Sequence, residues 1–189
     1  MKRGVVALLS FLFLFAFSTS TLAAENSDVE KATQIINDTN AAIDQEIQKT
    51  VENADKLQQI YFYGIQSVQG ADAILSLRTE QSNLEEVLLN TTDQAKADEI
   101  KARLSAIDTE VANLETTLSK KSKTFAIYTT IFHAGLDKLI ADLDQKTRAM
   151  SAEGIQQAAE LGVQAECEFK LVKIAHKWVW IDPIIIVGV

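Results

Sequence analysis

The sequence predicts a mainly α protein: a long antiparallel helical hairpin, coiled-coil-like in its packing, that ends in a small C-terminal β-hairpin. Three observations carry that expectation. One proline and seven glycines in 189 residues leave few positions that interrupt a helix. Between residues 91 and 146, Ile100, Leu104, Ile107, Val111, Leu114, Leu118, Phe125, Tyr128, Phe132 and Leu139 recur at heptad spacing, which lines one face of a helix. Beyond residue 162 the period changes to two, because Val163, Ala165, Cys167, Phe169 and Leu171 alternate with Gln164, Glu166, Glu168 and Lys170.

Residues 1–24 read as a secretory signal peptide. Basic Lys2 and Arg3 precede an apolar run from Val5 to Phe17, and polar residues then lead into Leu22, Ala23 and Ala24. The run is shorter than the roughly 20 residues of a membrane-spanning helix. Cleavage is expected at Ala23 or Ala24, with the product exported to the periplasm or the extracellular space. Loss of Lys2 and Arg3 leaves 16 basic against 26 acidic residues and moves the formal net charge from -8 to -10.

Residues 25–148 are assigned to the helical hairpin. Ser27 and Glu30 have the spacing of a capping box, so the first helix is expected to start at Ser27. Val29, Ile36, Ile43 and Leu57 share one heptad position and Ile47, Ala54, Tyr61 and Val68 another, with Thr33, Asn40 and Thr50 as polar interruptions that weaken the seam. A turn is expected near residues 90–93, where Thr91 and Gln94 form a second capping box. Straight arms folded about that turn would bring Leu57 near Phe125 and Tyr61 near Lys121. Gly64 or Gly135 would mark a bend. From Ile60 to Leu77 apolar residues occupy more than one helix face, so two helices cannot cover them all. The C-terminal segment, a second copy of the chain or a partner is expected to complete the cover.

Residues 149–189 are assigned to a short helix ending before Gly162, then a β-hairpin and an apolar tail. Ala175, His176 and Lys177 form the hairpin turn, although it lacks the usual Asn-Gly pair. Asp182 and Pro183 end the second strand, and Ile184 opens the tail. Internal packing of Trp178, Trp180 and the isoleucines on the helical aromatic zone is favoured over a partner or a membrane. Docking is accordingly assigned to Tyr61, Tyr63, Phe125, Tyr128, Phe132, Trp178, Trp180 and Ile184.

No catalytic, cofactor or metal site is predicted. Cys167 is the only cysteine and lies between Glu166 and Glu168, which disfavour its thiolate. His133 and His176 have no carboxylate at the spacing of a zinc motif. The acidic charge disfavours nucleic acid, and the densest basic cluster, Lys120, Lys121 and Lys123, reads as a solvated helix face. The expectation is an exported, non-enzymatic helical scaffold or interaction protein of the cell envelope or extracellular space. It acts through a protein partner or self-association. Membrane-active, pore-forming-like and periplasmic holdase-type proteins are the alternatives.

Overall fold

The computed structural model describes residues 23–189; the signal peptide assigned to residues 1–24 lies almost wholly outside them. Four helices, α1 (Ala23–Ile65), α2 (Ala71–Asn90), α3 (Gln94–Lys121) and α4 (Lys123–Glu160), precede four strands, β1 (Gln164–Cys167), β2 (Lys170–Ile174), β3 (Lys177–Ile181) and β4 (Ile184–Gly188). The protein is mainly helical, with α1 packed along α4, α2 along α3, and a small antiparallel β region at the C-terminus.

The hairpin is doubled over at its middle. Were α1 and α2 one continuous helix, Asp55 and Glu85 would stand about 45 Å apart at 1.5 Å per residue. Lys173 is nevertheless paired to Glu85 while lying close enough to Asp55 to act on its carboxyl. Likewise Glu115 and His133, about 27 Å apart in a continuous helix, meet at 2.9 Å. Each helix therefore reverses the direction of the one before it. The first arm reverses through Gln66–Gly70, where Gly70 adopts φ 91°, a conformation that a side chain disfavours. The second reverses at Ser122 alone, which is extended and whose hydroxyl accepts from the Phe125 amide to cap α4.

Doubling over resolves the surplus of apolar surface between Ile60 and Leu77. Ile65, Ala71 and Ile74 are fully buried in one cluster with Tyr61, Ile107, Leu118 and Phe125, so the folded-back half of the hairpin supplies the cover. The offset between the arms differs from the expected one. Leu57 lies over Gly135, where an added Cβ would come within 2.8 Å of it, and Tyr61 faces Phe132 rather than Lys121. A five-residue break in one arm and a one-residue break in the other shift the register that straight arms would have kept.

The helix ends differ from the capping boxes. α1 is already helical at Ala23, ahead of Ser27, and the cap of α3 is Asp93, whose carboxylate accepts from the amides of Ala95 and Lys96 at 3.0 and 3.3 Å. The short helix expected after Thr147 is the end of α4, which continues to Glu160. Gly154 does not break it but makes room for the tail: a Cβ there would meet Ile184 Cδ1 at 2.7 Å and Thr39 Oγ1 at 3.0 Å.

The strands form one long antiparallel ribbon. β2 pairs with β3 about the Ala175-His176 turn, and β1 pairs with β4, so the tail returns to the start of the ribbon. Two residues on each side, Glu168-Phe169 and Asp182-Pro183, interrupt the ladder without changing its register, and the Glu168 amide donates to the Pro183 carbonyl at 2.8 Å. Ala175 takes the positive φ, 53°, that a two-residue turn needs at its first position. The inner face packs on the helices through Val172, Ile174, Val179 and Ile181. At the other end Val163 and Ile184 join Ala32, Ile36 and Ala158 in a second cluster. Asn40, read from sequence as a weak point of the seam, fixes β4 there: its side-chain amide donates to the Ile184 carbonyl and accepts from the Ile184 amide, both at 2.8 Å.

Candidate functional site

Strand alternation divides the ribbon residues between two faces. With Val179 and Ile181 turned inward, Trp178 and Trp180 face outward and remain 41% and 57% exposed. Leu171, directly opposite Trp180 in the ladder, is 45% exposed, and Phe169 at the interruption is 70% exposed. The helical cover expected from sequence is thus only partial, and it falls on Trp178, through α2, more than on Trp180. The helical aromatic layer is already closed by the chain's own doubling, and the smaller aliphatic side chains of β2 and β3 seat on it.

The outward face has a built geometry. The Phe169 and Trp180 rings lie with centroids 6.2 Å apart and planes at 76°, an edge-on pair that leaves an open aromatic corner. Trp178 is held in place by its indole N–H, which donates to Glu85 Oε1 at 3.2 Å. Lys173, opposite Trp178 in the ladder, donates to the other oxygen of the same carboxylate, and Glu85 is thereby buried on α2. Two more lysines tie the ribbon down: Lys170 to Asp44 and Lys177 to Asp137, at 2.7 and 2.6 Å. Every lysine of the ribbon is thus engaged with a helix carboxylate, and the outer face carries no uncommitted cation among the described residues.

The other residues assigned to docking divide sharply. Tyr61, Phe125 and Phe132 are core residues, with the Tyr61 and Phe132 rings stacked at 4.7 Å and 8° and Phe125 edge-on to Tyr61 at 6.5 Å. Ile184 is buried in the second cluster, and Tyr128 lies half-buried over Gly64. These five residues pack inside the protein, and Tyr61, Phe125 and Phe132 share their cluster with Ile174 and Ile181 of the ribbon. Tyr63 is 76% exposed, but on α1 rather than on the ribbon. Of the eight, Trp178 and Trp180 are the pair that the fold brings together at the surface. Phe169 and Leu171 join them. Period-two alternation puts both on the face of Val163 and Ala165, opposite Glu166 and Glu168; in the fold Val163 is buried and Ala165 half-buried while Phe169 and Leu171 are exposed, the faces exchanging at the Glu168-Phe169 interruption.

A half-buried polar junction under the hairpin turn was not legible in sequence. The Tyr61 hydroxyl donates to Glu115 Oε1 at 3.1 Å, and Nε2 of His133 meets Glu115 Oε2 at 2.9 Å. His176 from the turn stands with its ring 5.6 Å from Phe132 and 6.2 Å from His133. Burial pushes the Tyr61 phenol up, reinforced by the Glu115 charge. Burial alone would raise Glu115 as well, but His133, Tyr61 and Arg78 together hold it below the usual range. His176 is pushed down to about 3, first by burial and then by the positive charges of Arg78, His133 and Lys177, against the opposing pull of Glu115. The folded chain therefore keeps His176 neutral at a pH where the unfolded chain protonates it. Stability from this site is intact above pH 6.5 and falls as the pH drops toward 3. At pH 5 the loss is about 2 kcal/mol, at 1.4 kcal/mol per pH unit. Urea unfolding at pH 7 and pH 5 measures it, and His176→Gln should remove most of the difference; an unchanged difference in that variant would assign it elsewhere.

Burial and the Asp182 charge raise the Cys167 thiol, with Ser151 opposing them through a hydrogen bond. Among the described residues, no group of three or more His, Cys, Asp or Glu is placed to hold a metal ion. No helix among them is long and apolar enough to cross a membrane. Comparison with known protein families, curated proteins and solved structures finds no match for this chain.

Proposed function

We propose that the protein is an exported, non-enzymatic helical scaffold or interaction protein of the cell envelope or extracellular space. The doubled helical hairpin presents the outer face of the ribbon to a protein partner. The observation that carries this reading is the contiguous exposed set Phe169, Leu171, Trp178 and Trp180 on a support that is otherwise well packed. Patches of this kind mark interaction sites, and tryptophan dominates the energetics of such sites. Three helix-to-ribbon ion pairs and the Asn40 contact hold the face rigid, which lowers the entropy that binding must overcome. Export rests on the basic, apolar and small-residue segments of residues 1–24.

Site-specific photocrosslinking tests the docking reading. With benzoylphenylalanine in place of Trp180, a discrete adduct is expected in the source cells. The same probe in place of Glu99, exposed on α3, should give none. Absence of an adduct at position 180, or equal adducts at both positions, would remove the ribbon face as the docking site. The adduct mass separates a second copy of the chain from another protein.

A further inference from the structure

We infer that the ribbon face takes a short cationic segment, with an arginine or lysine side chain seated in the corner between Trp180 and Phe169. This rests on the docking reading above and specifies its partner. The corner is formed by two rings whose planes stand at 76° in an edge-on pair, and both residues are more than half exposed, which leaves ring face open to solvent. Such faces carry the negative part of the aromatic quadrupole and attract a cation within about 6 Å of the ring centroid, tryptophan most strongly. The charges around the corner point the same way. Lys170, Lys173 and Lys177 are each neutralised by a carboxylate, so none competes for the rings or repels an arriving cation. Glu166 and Glu168, by contrast, are exposed and have no ion-pair partner among the described residues, and Glu168 directly precedes Phe169. The formal net charge, -8 for the full chain and -10 without Lys2 and Arg3, adds long-range attraction for a cation and repulsion for anionic lipid.

Size argues for a segment rather than a second copy of the chain. A fully buried aromatic side chain covers 150–250 Å², so the exposed fractions of the four residues amount to roughly 400–500 Å². A stable protein interface needs about 800 Å² from each partner. The face suits a few residues of extended chain with one side chain as anchor.

Trp178 and Trp180 are the only two tryptophans, so selectively excited tryptophan fluorescence reports on this face alone. The experiment titrates the protein with an end-capped heptapeptide of alternating glycine and arginine, then with the glycine-glutamate counterpart. Phosphatidylcholine vesicles with and without phosphatidylglycerol form the third arm. Saturable spectral change is expected with the arginine peptide only, weakening as salt is raised. Trp180→Leu, which keeps an apolar side chain but removes the ring face, should weaken binding about threefold or more. Glu168→Gln should weaken it without altering the spectrum of the free protein. Equal response to the glutamate peptide, response to vesicles alone, no response to any probe, or full affinity in Trp180→Leu would overturn the cationic assignment. A position-180 crosslink that persisted beside such a result would leave docking intact and reject only the partner's charge.

Discussion

Phe132→Ala is expected to lose about 3–5 kcal/mol of folding stability, the range for emptying a buried phenylalanine site. Phe132 is 3% exposed and stacks flat on Tyr61 from α1 at 4.7 Å. Its ring also lies 5.6 Å from His176 in the ribbon turn, so two separate parts of the chain, α1 and the ribbon, lean on one side chain of α4. Neither can follow a retreating alanine: Tyr61 is tied to Glu115, and His176 is fixed by the two-residue turn. The cavity would therefore stay open, which places the loss in the upper part of the range. Phe132→Leu, retaining most of the volume, should lose about 1–2 kcal/mol. Denaturant midpoints of the three proteins measure the series, and a loss below about 1 kcal/mol for the alanine variant would mean that the core closes around the gap.

The same residue shows how far sequence reasoning reaches. Phe125, Phe132 and Tyr61 share the seam by their heptad spacing, and their burial follows from it. Heptad spacing reports which face of a helix is apolar but not how many times the chain reverses. At Ser122 the seam continues in phase from Leu118 to Phe125, so nothing in the periodicity distinguishes a straight helix from one that turns back through a single extended residue. The tell-tale was instead the apolar excess between Ile60 and Leu77, which requires additional cover without saying where it comes from. Likewise the period-two pattern after Gly162 established a hairpin and its turn. Which tryptophan face looks outward depended on the interruption at Glu168-Phe169, a feature of three-dimensional pairing with Pro183. The polar junction of Tyr61, Glu115, His133 and His176 joins residues up to 115 positions apart, beyond any local signal.

Glu85→Ala is expected to lose about 2–3 kcal/mol and to free the outer tryptophan. Glu85 is 4% exposed, and its two oxygens accept from Lys173 and from the Trp178 indole, so one carboxylate fastens the folded-back half of the hairpin to the ribbon. Removing one member of a buried ion pair commonly loses 3–5 kcal/mol because its partner is left charged without compensation. Lys173 has a partial escape, being 32% exposed with Asp55 close by, which lowers the expected loss. Glu85→Gln keeps a carbonyl acceptor for one donor but surrenders the charge, and should fall between wild type and alanine. The double variant Glu85→Leu with Lys173→Met should recover most of the loss, since apolar replacement of both partners removes the stranded charge along with the pair. Chemical denaturation gives the energies, while a shift of tryptophan emission to longer wavelength in Glu85→Ala reports release of Trp178. Stability within 0.5 kcal/mol of wild type together with unchanged emission would show that the apolar packing of Ile174 and Ile181 and the remaining contacts of Lys170, Lys177 and Asn40 hold the ribbon without Glu85. In that case α2 would be a neighbour of the outer ribbon face rather than its support.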